Sequence, residues 1–203
     1  MKNKRGFPLM ALGLLLIVAA LSLAGYNVWD EKRADEAVIV ALDELEPRIL
    51  EAAPMPEGMI PDYLLNPRMD MPTMEIDGWD YIGYLEIPSL GLDLPVMSEW
   101  SYPQLKLSPC RYTGSVYLNN MVIAAHNYER HFGGLKNLEI GAEVRFTDVD
   151  GNVFTYRVGA LEQLNPDQAL EMRNSDWDLT LFTCTLGGQF RVTVRCERAE
   201  AVL

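Results

Sequence analysis

The chain has 203 residues, of which 49% are hydrophobic and 23% are charged, a balance typical of a globular protein. This composition excludes a wholly disordered chain, a collagen and a protein with many membrane spans. The net charge of −12 argues against nucleic acid as a partner, because phosphate binding requires clustered basic side chains. Two histidines exclude a histidine-rich metal site, and three cysteines do not form a disulfide scaffold. We therefore expect no metal and no other cofactor.

The N-terminal segment, residues 1–29, predicts a cytoplasmic tip and a transmembrane anchor. Residues 7–28 carry no charge, and at ~1.5 Å per residue they are long enough to cross a bilayer core of ~30 Å. Basic residues precede this stretch, so the positive-inside rule places the N-terminus in the cytoplasm and the rest of the chain outside the cell. The alternative is a secretory signal cleaved near Gly25, which places the following residues on the same side.

Residues 30–53 predict a helical stalk, and residues 54–76 predict a linker. Between Ala34 and Leu45 apolar residues recur with the spacing of an amphipathic helix, which Pro47 is expected to break or kink. The apolar face predicts packing on the following domain or on a second copy, and a solvated spacer helix is an equal alternative. The linker is rich in proline and methionine, a composition that predicts a semi-extended segment lying against the domain.

Residues 77–203 predict one mostly β domain. Short runs of apolar and aromatic residues alternate with glycine and asparagine turns, and few helical patterns interrupt them. Many short strands in a domain of this size are typical of a small β-barrel or a sandwich. The predicted strands are Tyr81–Ile87, Leu92–Met97, Met121–Ala125, Glu143–Thr147, Asn152–Val158, Leu179–Thr183 and Phe190–Val194.

Cys184, His126 and Arg191 form the candidate catalytic group. Cys184 and His126 each close a predicted apolar strand, where a rigid scaffold can present a reactive side chain. A tight turn at Leu186–Gln189 brings the strand of Arg191 back beside the strand of Cys184. A thiolate can attack a carbonyl, a histidine can move protons, and the donors of an arginine can stabilise an oxyanion. Taken alone, these residues also fit a buried thiol and a structural histidine.

The sequence around this group resembles the signature of the sortase family. The run Thr180–Cys184 reads Thr-Leu-Phe-Thr-Cys, Arg191 lies on the next strand, and Ala125–Asn127 supplies an upstream His-Asn pair. The order His, Cys, Arg is similar to that of the family. The flanking segments that also resemble it are Gly83–Pro88, Leu94–Val96, His131–Leu135 and Gly141–Phe146. The resemblance covers residues 77–198.

The resemblance implies a closed eight-stranded β-barrel and a membrane-anchored cysteine transpeptidase of Gram-positive bacteria. Such enzymes, which are thiol proteases in their first half-reaction, cleave a sorting motif of a secreted protein. They then transfer the acyl group to an amine of a cell-wall precursor or a pilin lysine. The resemblance implies that Cys184 is the nucleophile, His126 the general acid and base, and Arg191 the group that orients substrate beside the oxyanion. Thr183 is implied to contact the substrate.

Two other functions remain open at this point. One is a non-catalytic surface module that binds peptides on the same fold, and the other is a cysteine hydrolase that releases the acyl group to water. Arg195 has the strand parity of Arg191 and is an alternative cation. His131, expected in an exposed loop, is the alternative imidazole. The polar end of the chain lacks the C-terminal membrane segment of many pilin polymerases, which favours an anchoring role.

Three further features have two interpretations each. Cys110 and Cys196 are either a disulfide pair or two buried thiols. Residues 148–152 resemble the start of a calcium loop but fit a hairpin turn better. Four aromatic residues are candidates to line a peptide groove or to fill the core: Trp100, Tyr102, Tyr112 and Tyr117.

Overall fold

The computed structural model describes residues 6–52, 60–173, 176–185 and 187–199. Within these ranges the strands are β1 (Met74–Ile76), β2 (Trp79–Ile87), β3 (Leu92–Met97), β4 (Cys110–Thr113), β5 (Met121–Ala124), β6 (Glu143–Asp148), β7 (Val153–Leu164), β8 (Leu179–Cys184) and β9 (Arg191–Arg198). The helices are α1 (Gly6–Ala52), α2 (Asp62–Leu65), α3 (Tyr102–Leu105) and α4 (Ala169–Arg173). Short 3₁₀ turns span Pro88–Leu90, Val116–Leu118 and Phe132–Asn137.

The strands form a closed barrel, which confirms the predicted eight-stranded architecture. The sheet runs in the order β2-β3-β4-β5-β8-β9-β7-β6, and β6 pairs back onto β2 to close it. Most neighbours are antiparallel, but β3 with β4 and β5 with β8 are parallel. The short strand β1 adds to the edge of β2 ahead of the segment that pairs with β6.

Closure of the barrel depends on a glycine at position 83. The pairing of β2 with β3 shifts register between Tyr81 and Gly83, and Gly83 has φ of 143°. A Cβ at this position would lie 1.9 Å from the carbonyl oxygen of Thr147 on β6. Only glycine permits this backbone approach, so the residue sets where the first and last parts of the sheet meet.

Helix α1 continues without interruption from the apolar segment onto the barrel. Its 47 residues correspond to a length of ~70 Å at ~1.5 Å per residue. The part from Pro8 to Val28 exposes its apolar side chains and is long and apolar enough to span a membrane. The helix also passes through Pro47, so of the two expected effects of this proline, a break and a kink, the break does not occur. The Pro47 N–H is missing from the ladder, but residues on both sides remain helical.

The second half of α1 packs on the outside of the barrel. Its buried residues follow the three- and four-residue spacing of one helix face: Ala34, Val38, Ala41, Leu45 and Ile49. Most of them join a cluster with β1, β2, β3 and β4 that includes Ile76, Tyr81 and Met97. Of the alternatives for residues 30–53, the structure therefore shows packing on the domain.

The described part of the predicted linker also lies against the barrel. Met71 is buried, and Met69 packs on the main core. Residues 74–76 pair as β1, and Tyr63 of α2 stacks on Tyr117 with ring centroids 4.9 Å apart. Residues 53–59 lie outside the described ranges. Met69 and Met71 thus fill apolar space between the described part of the linker and the barrel.

Candidate active site

Cys184 and Arg191 are a directly opposed pair in the sheet. Cys184 is the last residue of β8, Arg191 is the first of β9, and the antiparallel register matches one with the other. Opposed residues have Cβ atoms ~5 Å apart and side chains on the same face. Gly187 and Gly188, with φ of 87° and 72°, turn the chain between them. Leu186 lies outside the described residues.

His126 reaches the same end of the sheet from the neighbouring strand. β5 runs parallel to β8, with Ala124 opposite Phe182, and the N–H of Ala125 donates to the carbonyl of Phe182 at 3.2 Å. His126 lies two residues beyond Ala124, as Cys184 lies two residues beyond Phe182. Parallel neighbours are ~4.8 Å apart, so the two chains leave the sheet side by side.

Thr183 ties these two strand ends together. Its hydroxyl donates to the carbonyl oxygen of Ala125 at 2.8 Å, and the residue is buried. The bond fixes β8 against the residue that precedes His126. Thr183 also lines the cleft beside Cys184, and its contact with substrate stays a prediction.

An open cleft of about 820 Å³ lies next to Cys184. Its lining includes Thr183, Asn127 and Lys136, together with Glu31 from α1. The Glu31 carboxylate accepts the N–H of Glu129 at 2.8 Å, which fixes α1 to the loop that follows His126. Helix α1 therefore contributes to the cleft wall. His126 does not line this cleft, and its Nε2 atom is buried without a hydrogen-bond partner among the described residues.

The environment of His126 disfavours its charged form. Burial lowers the pKa of the imidazole, the charge of Asp30 opposes that effect, and Lys106 adds to it. The ring stacks on the ring of Tyr128 with centroids 4.8 Å apart and planes at 24°. At neutral pH the imidazole beside the strand end that carries Cys184 is therefore mostly in its neutral form.

His131 is buried, so the expectation that it lies exposed in a loop is wrong. Its ring is fully covered and packs on Tyr128 with centroids 5.4 Å apart. Burial, with a smaller contribution from His126, lowers its pKa to about 4. His131 directly precedes the Phe132–Asn137 turn. Because Phe132 and Leu135 of this turn are core residues, His131 also lies in the interior. His131 therefore supports the loop and is not exposed to solvent.

Arg195 is a buried structural residue. It pairs with Thr180, four positions before Cys184 on β8, a distance of ~13 Å along the strand. Its guanidinium bonds the carboxylate of Glu162 at 3.2 Å and the hydroxyl of Thr180 at 3.1 Å. Arg191, in contrast, donates to the carbonyls of Gly188 and Phe190 at the exposed turn. Of the two cations, Arg191 is the one that the fold places beside Cys184.

Cys110 and Cys196 are free and buried, so the structure contains no bridge between them. Burial raises the pKa of both thiols to about 12. Both are therefore protonated at neutral pH and poor nucleophiles. Cys184 is partly exposed and is the thiol that faces the cleft.

The aromatic candidates divide between surface and core. Tyr117 is buried, and its hydroxyl donates to Asp148 at 2.9 Å. Trp100, Tyr112 and Phe182 form a row with successive ring centroids 5.3 Å apart. Phe182 precedes Cys184 by two residues on β8, so this row starts near the candidate nucleophile.

Residues 148–152 form the expected hairpin turn. The buried Asp148 carboxylate accepts the N–H groups of Asp150 and Asn152 at 3.0 and 2.8 Å. Its oxygens are thus occupied by protein donors. Among the described residues, no cluster of histidine, cysteine and acidic side chains has the arrangement of a metal site.

Comparisons with known proteins place the barrel domain in a family. A family model described as a Sortase domain matches residues 85–199, more than half of the chain. The chain is similar to sortase C1 from Streptococcus suis, with 27% identity, a TM-score of 0.52 and coverage of 60% of this chain and 74% of that chain.

Two clostridial structures cover more of the chain. Sortase C from Clostridium perfringens SM101 is 25% identical, with a TM-score of 0.52 over 88% of this chain and 98% of that one. A Clostridium perfringens sortase D5 transpeptidase shares the fold at 18% identity, with a TM-score of 0.59 over 83% and 99% of the two chains. A search of curated proteins finds no match.

Proposed function

Because the chain belongs to the sortase family, we propose that it is a cysteine transpeptidase that cleaves a sorting motif of secreted proteins and transfers the acyl group to an amine. Family membership supports a sortase-type transpeptidase in general terms. The observation that carries the specific proposal is the opposed pair of Cys184 and Arg191, with His126 on the adjacent strand end.

In the first half-reaction the Cys184 thiolate attacks the carbonyl carbon of the scissile peptide bond. A tetrahedral intermediate forms and its C–N bond breaks, which leaves a thioester on Sγ. His126, as imidazolium, donates a proton to the departing amine. Exposure of Cys184 at the cleft supports this role, as does the placement of His126 at the neighbouring strand end.

In the second half-reaction an amine attacks the thioester carbonyl. His126, now neutral, accepts the proton that the amine loses, and the thiolate of Cys184 leaves. Arg191 stabilises the oxyanion in both halves, since its planar fork offers five donors. Two of its contacts are to carbonyls of its own turn, which hold the guanidinium near the sheet end. Thr183 contributes a substrate contact from the cleft wall.

The partners proposed are a secreted protein with a C-terminal sorting motif and an amine from a cell-wall precursor or a pilin lysine. The row of Trp100, Tyr112 and Phe182 gives an aromatic surface beside the nucleophile for apolar residues of that motif. We place the chain in the cell membrane of a Gram-positive bacterium by a single span within residues 1–29, with the N-terminus in the cytoplasm. The exposed apolar half of α1 supports this placement.

The proposed domain division keeps residues 30–53 and 54–76 between the anchor and a catalytic domain at 77–203. The second half of helix α1 packs on that domain, as do the linker methionines Met69, Met71 and Met74. The described parts of these two segments therefore act as a brace for the barrel.

The test is turnover of a panel of fluorogenic sorting-motif peptides by the full chain in detergent micelles, with and without an amine acceptor. We expect cleavage that Cys184→Ala abolishes and ligation that exceeds hydrolysis when the amine is present. Cys196→Ala is the matched control, because it removes a buried thiol. Cleavage without ligation would instead establish the hydrolase. Peptide binding without cleavage would establish the non-catalytic module.

A further inference from the structure

Helix α1 touches the candidate site through a buried aspartate. Asp30 lies two residues beyond the apolar segment and is only 7% exposed. Its Oδ2 accepts the hydroxyl hydrogen of Tyr128 at 2.7 Å, and its Oδ1 accepts a guanidinium hydrogen of Arg33 at 3.0 Å. A carboxylate this well covered needs such hydrogen-bond partners. The carboxylate of Asp30 is therefore held in one place beside the barrel.

Tyr128 connects this carboxylate to the imidazole of His126. One side of its ring stacks on His126, with centroids 4.8 Å apart, and His131 packs on it at 5.4 Å. Tyr128 is thus fixed by two imidazoles and by the bond from its hydroxyl to Asp30. Any shift of α1 that breaks this bond would also release the ring on which His126 rests.

We propose that Asp30 and Tyr128 are positioning residues for His126, through which the membrane helix orients the imidazole and places a negative charge beside it. The inference rests on the proposed function, since it takes His126 as the proton donor and acceptor. It gives the N-terminal helix a part in the chemistry in addition to membrane attachment.

Charged and titratable groups near His126 come from α1, from the end of α3 and from its own loop. Asp30 of α1 raises the pKa of His126, and Lys106 at the end of α3 lowers it. On its own loop, Tyr128 and His131 are neutral at pH 7, because burial raises the pKa of one and lowers that of the other. Cys184, at the end of β8, is the titratable group on the neighbouring strand. Asp30 is therefore the group that opposes the effect of burial on the pKa of His126.

The effect of Asp30 on the pKa of His126 matters because the leaving amine needs a proton from the imidazolium. Each unit by which the pKa of His126 falls below the working pH reduces its imidazolium fraction about tenfold. Loss of the Asp30 charge would lower the pKa further. Loss of Arg33, which neutralises part of that charge, would raise it. Opposite signs from two neighbouring residues on one helix are not expected from general disturbance of the structure.

The test is an NMR titration of the imidazole signals in the full chain in detergent micelles. The chain has two histidines, so His126→Gln identifies the signal of His126. We expect Asp30→Asn to lower the pKa of His126 by about half a unit or more, as expected for loss of one nearby charge. We expect Arg33→Gln to raise it. Glu36→Gln is the matched control: it removes the same charge from an exposed position of α1 and should leave the titration unchanged.

An unchanged pKa of His126 in Asp30→Asn, with the low pKa of His131 preserved as a sign of an intact loop, would overturn the inference. If Asp30→Asn does not fold, Arg33→Gln decides: a rise supports the inference, and an unchanged or lower pKa overturns it. The peptide assay tests the proposed function separately. His126→Ala with undiminished peptide cleavage would refute His126 as the acid and base, whatever the titration shows.

Discussion

Cys184 and Arg191 face each other across the first pair of the β8–β9 ladder. The pair exists because two glycines with positive φ reverse the chain within a short turn. The turn sets the register of β8 against β9, and this register places Arg191 opposite Cys184. Arg195, four residues further along β9, instead meets Thr180 in the interior.

Arg191→Lys should reduce peptide turnover about 10²-fold or more, because an ammonium lacks the fork of donors and sits as a point charge. The measurement is the initial rate of peptide cleavage at saturating substrate. Arg157→Lys, an exposed arginine paired with Glu143 on the barrel surface, serves as the control and should keep the full rate. A near-native rate in Arg191→Lys would contradict the role of the guanidinium.

Thiol labelling should distinguish the three cysteines. At pH 8 iodoacetamide should modify Cys184 in the folded chain and leave Cys110 and Cys196 unmodified, because burial raises their pKa to about 12 and covers their sulfur atoms. Peptide mapping by mass spectrometry gives the sites. Unfolding in guanidinium chloride is the control and should expose all of them. Rapid labelling of Cys196 in the native chain would contradict the burial of this residue in the barrel core.

Stability should fall between about pH 6.5 and pH 4 through His131. Burial lowers its pKa from 6.5 to about 4 in the folded state, so the unfolded chain binds more protons in this window. The stabilisation that the neutral ring provides is fully present above pH 6.5 and is lost as the pH falls toward 4. The free energy of unfolding decreases over this range by about 3 kcal/mol. Urea unfolding at several pH values measures it. His131→Gln should show a shallower loss, and an equal slope would exclude His131 as the cause.

Gly83→Ala should destabilise the barrel by at least about 3 kcal/mol or prevent folding, because its Cβ meets the backbone of β6. Gly91→Ala is the matched control. Gly91 also has positive φ, 61°, but no atom lies within 4 Å of its added Cβ, so a cost of only about 1 kcal/mol is expected. Thermal unfolding of both variants tests the difference. Equal costs would show that closure does not depend on this approach.

The predicted strands were recognisable where apolar and polar residues alternate between clear turns. β3 spans the predicted Leu92–Met97. β7 extends to Leu164, beyond its predicted end at Val158, because Gly159 is a bulge against Trp177 and not a strand terminus. A glycine alone does not distinguish these two cases.

The surroundings of the candidate site were less predictable than the pairing of Cys184 with Arg191. A strand end and a short turn sufficed to place Cys184 beside Arg191. No local signal indicated that His131 is buried or that Asp30 reaches Tyr128, since that bond joins residues 98 positions apart in the chain. Contacts of this kind depend on how α1 docks, which local sequence patterns do not encode.

The most direct test of the transpeptidase is to trap its acyl-enzyme. The full chain in micelles would be mixed with sorting-motif peptides, quenched in acid and analysed by intact and peptide-level mass spectrometry. We predict a thioester on Cys184 that is absent from Cys184→Ala and disappears on addition of an amine as ligated product forms. Cleaved peptide with no adduct on Cys184, or with product formation unchanged in Cys184→Ala, would contradict the account.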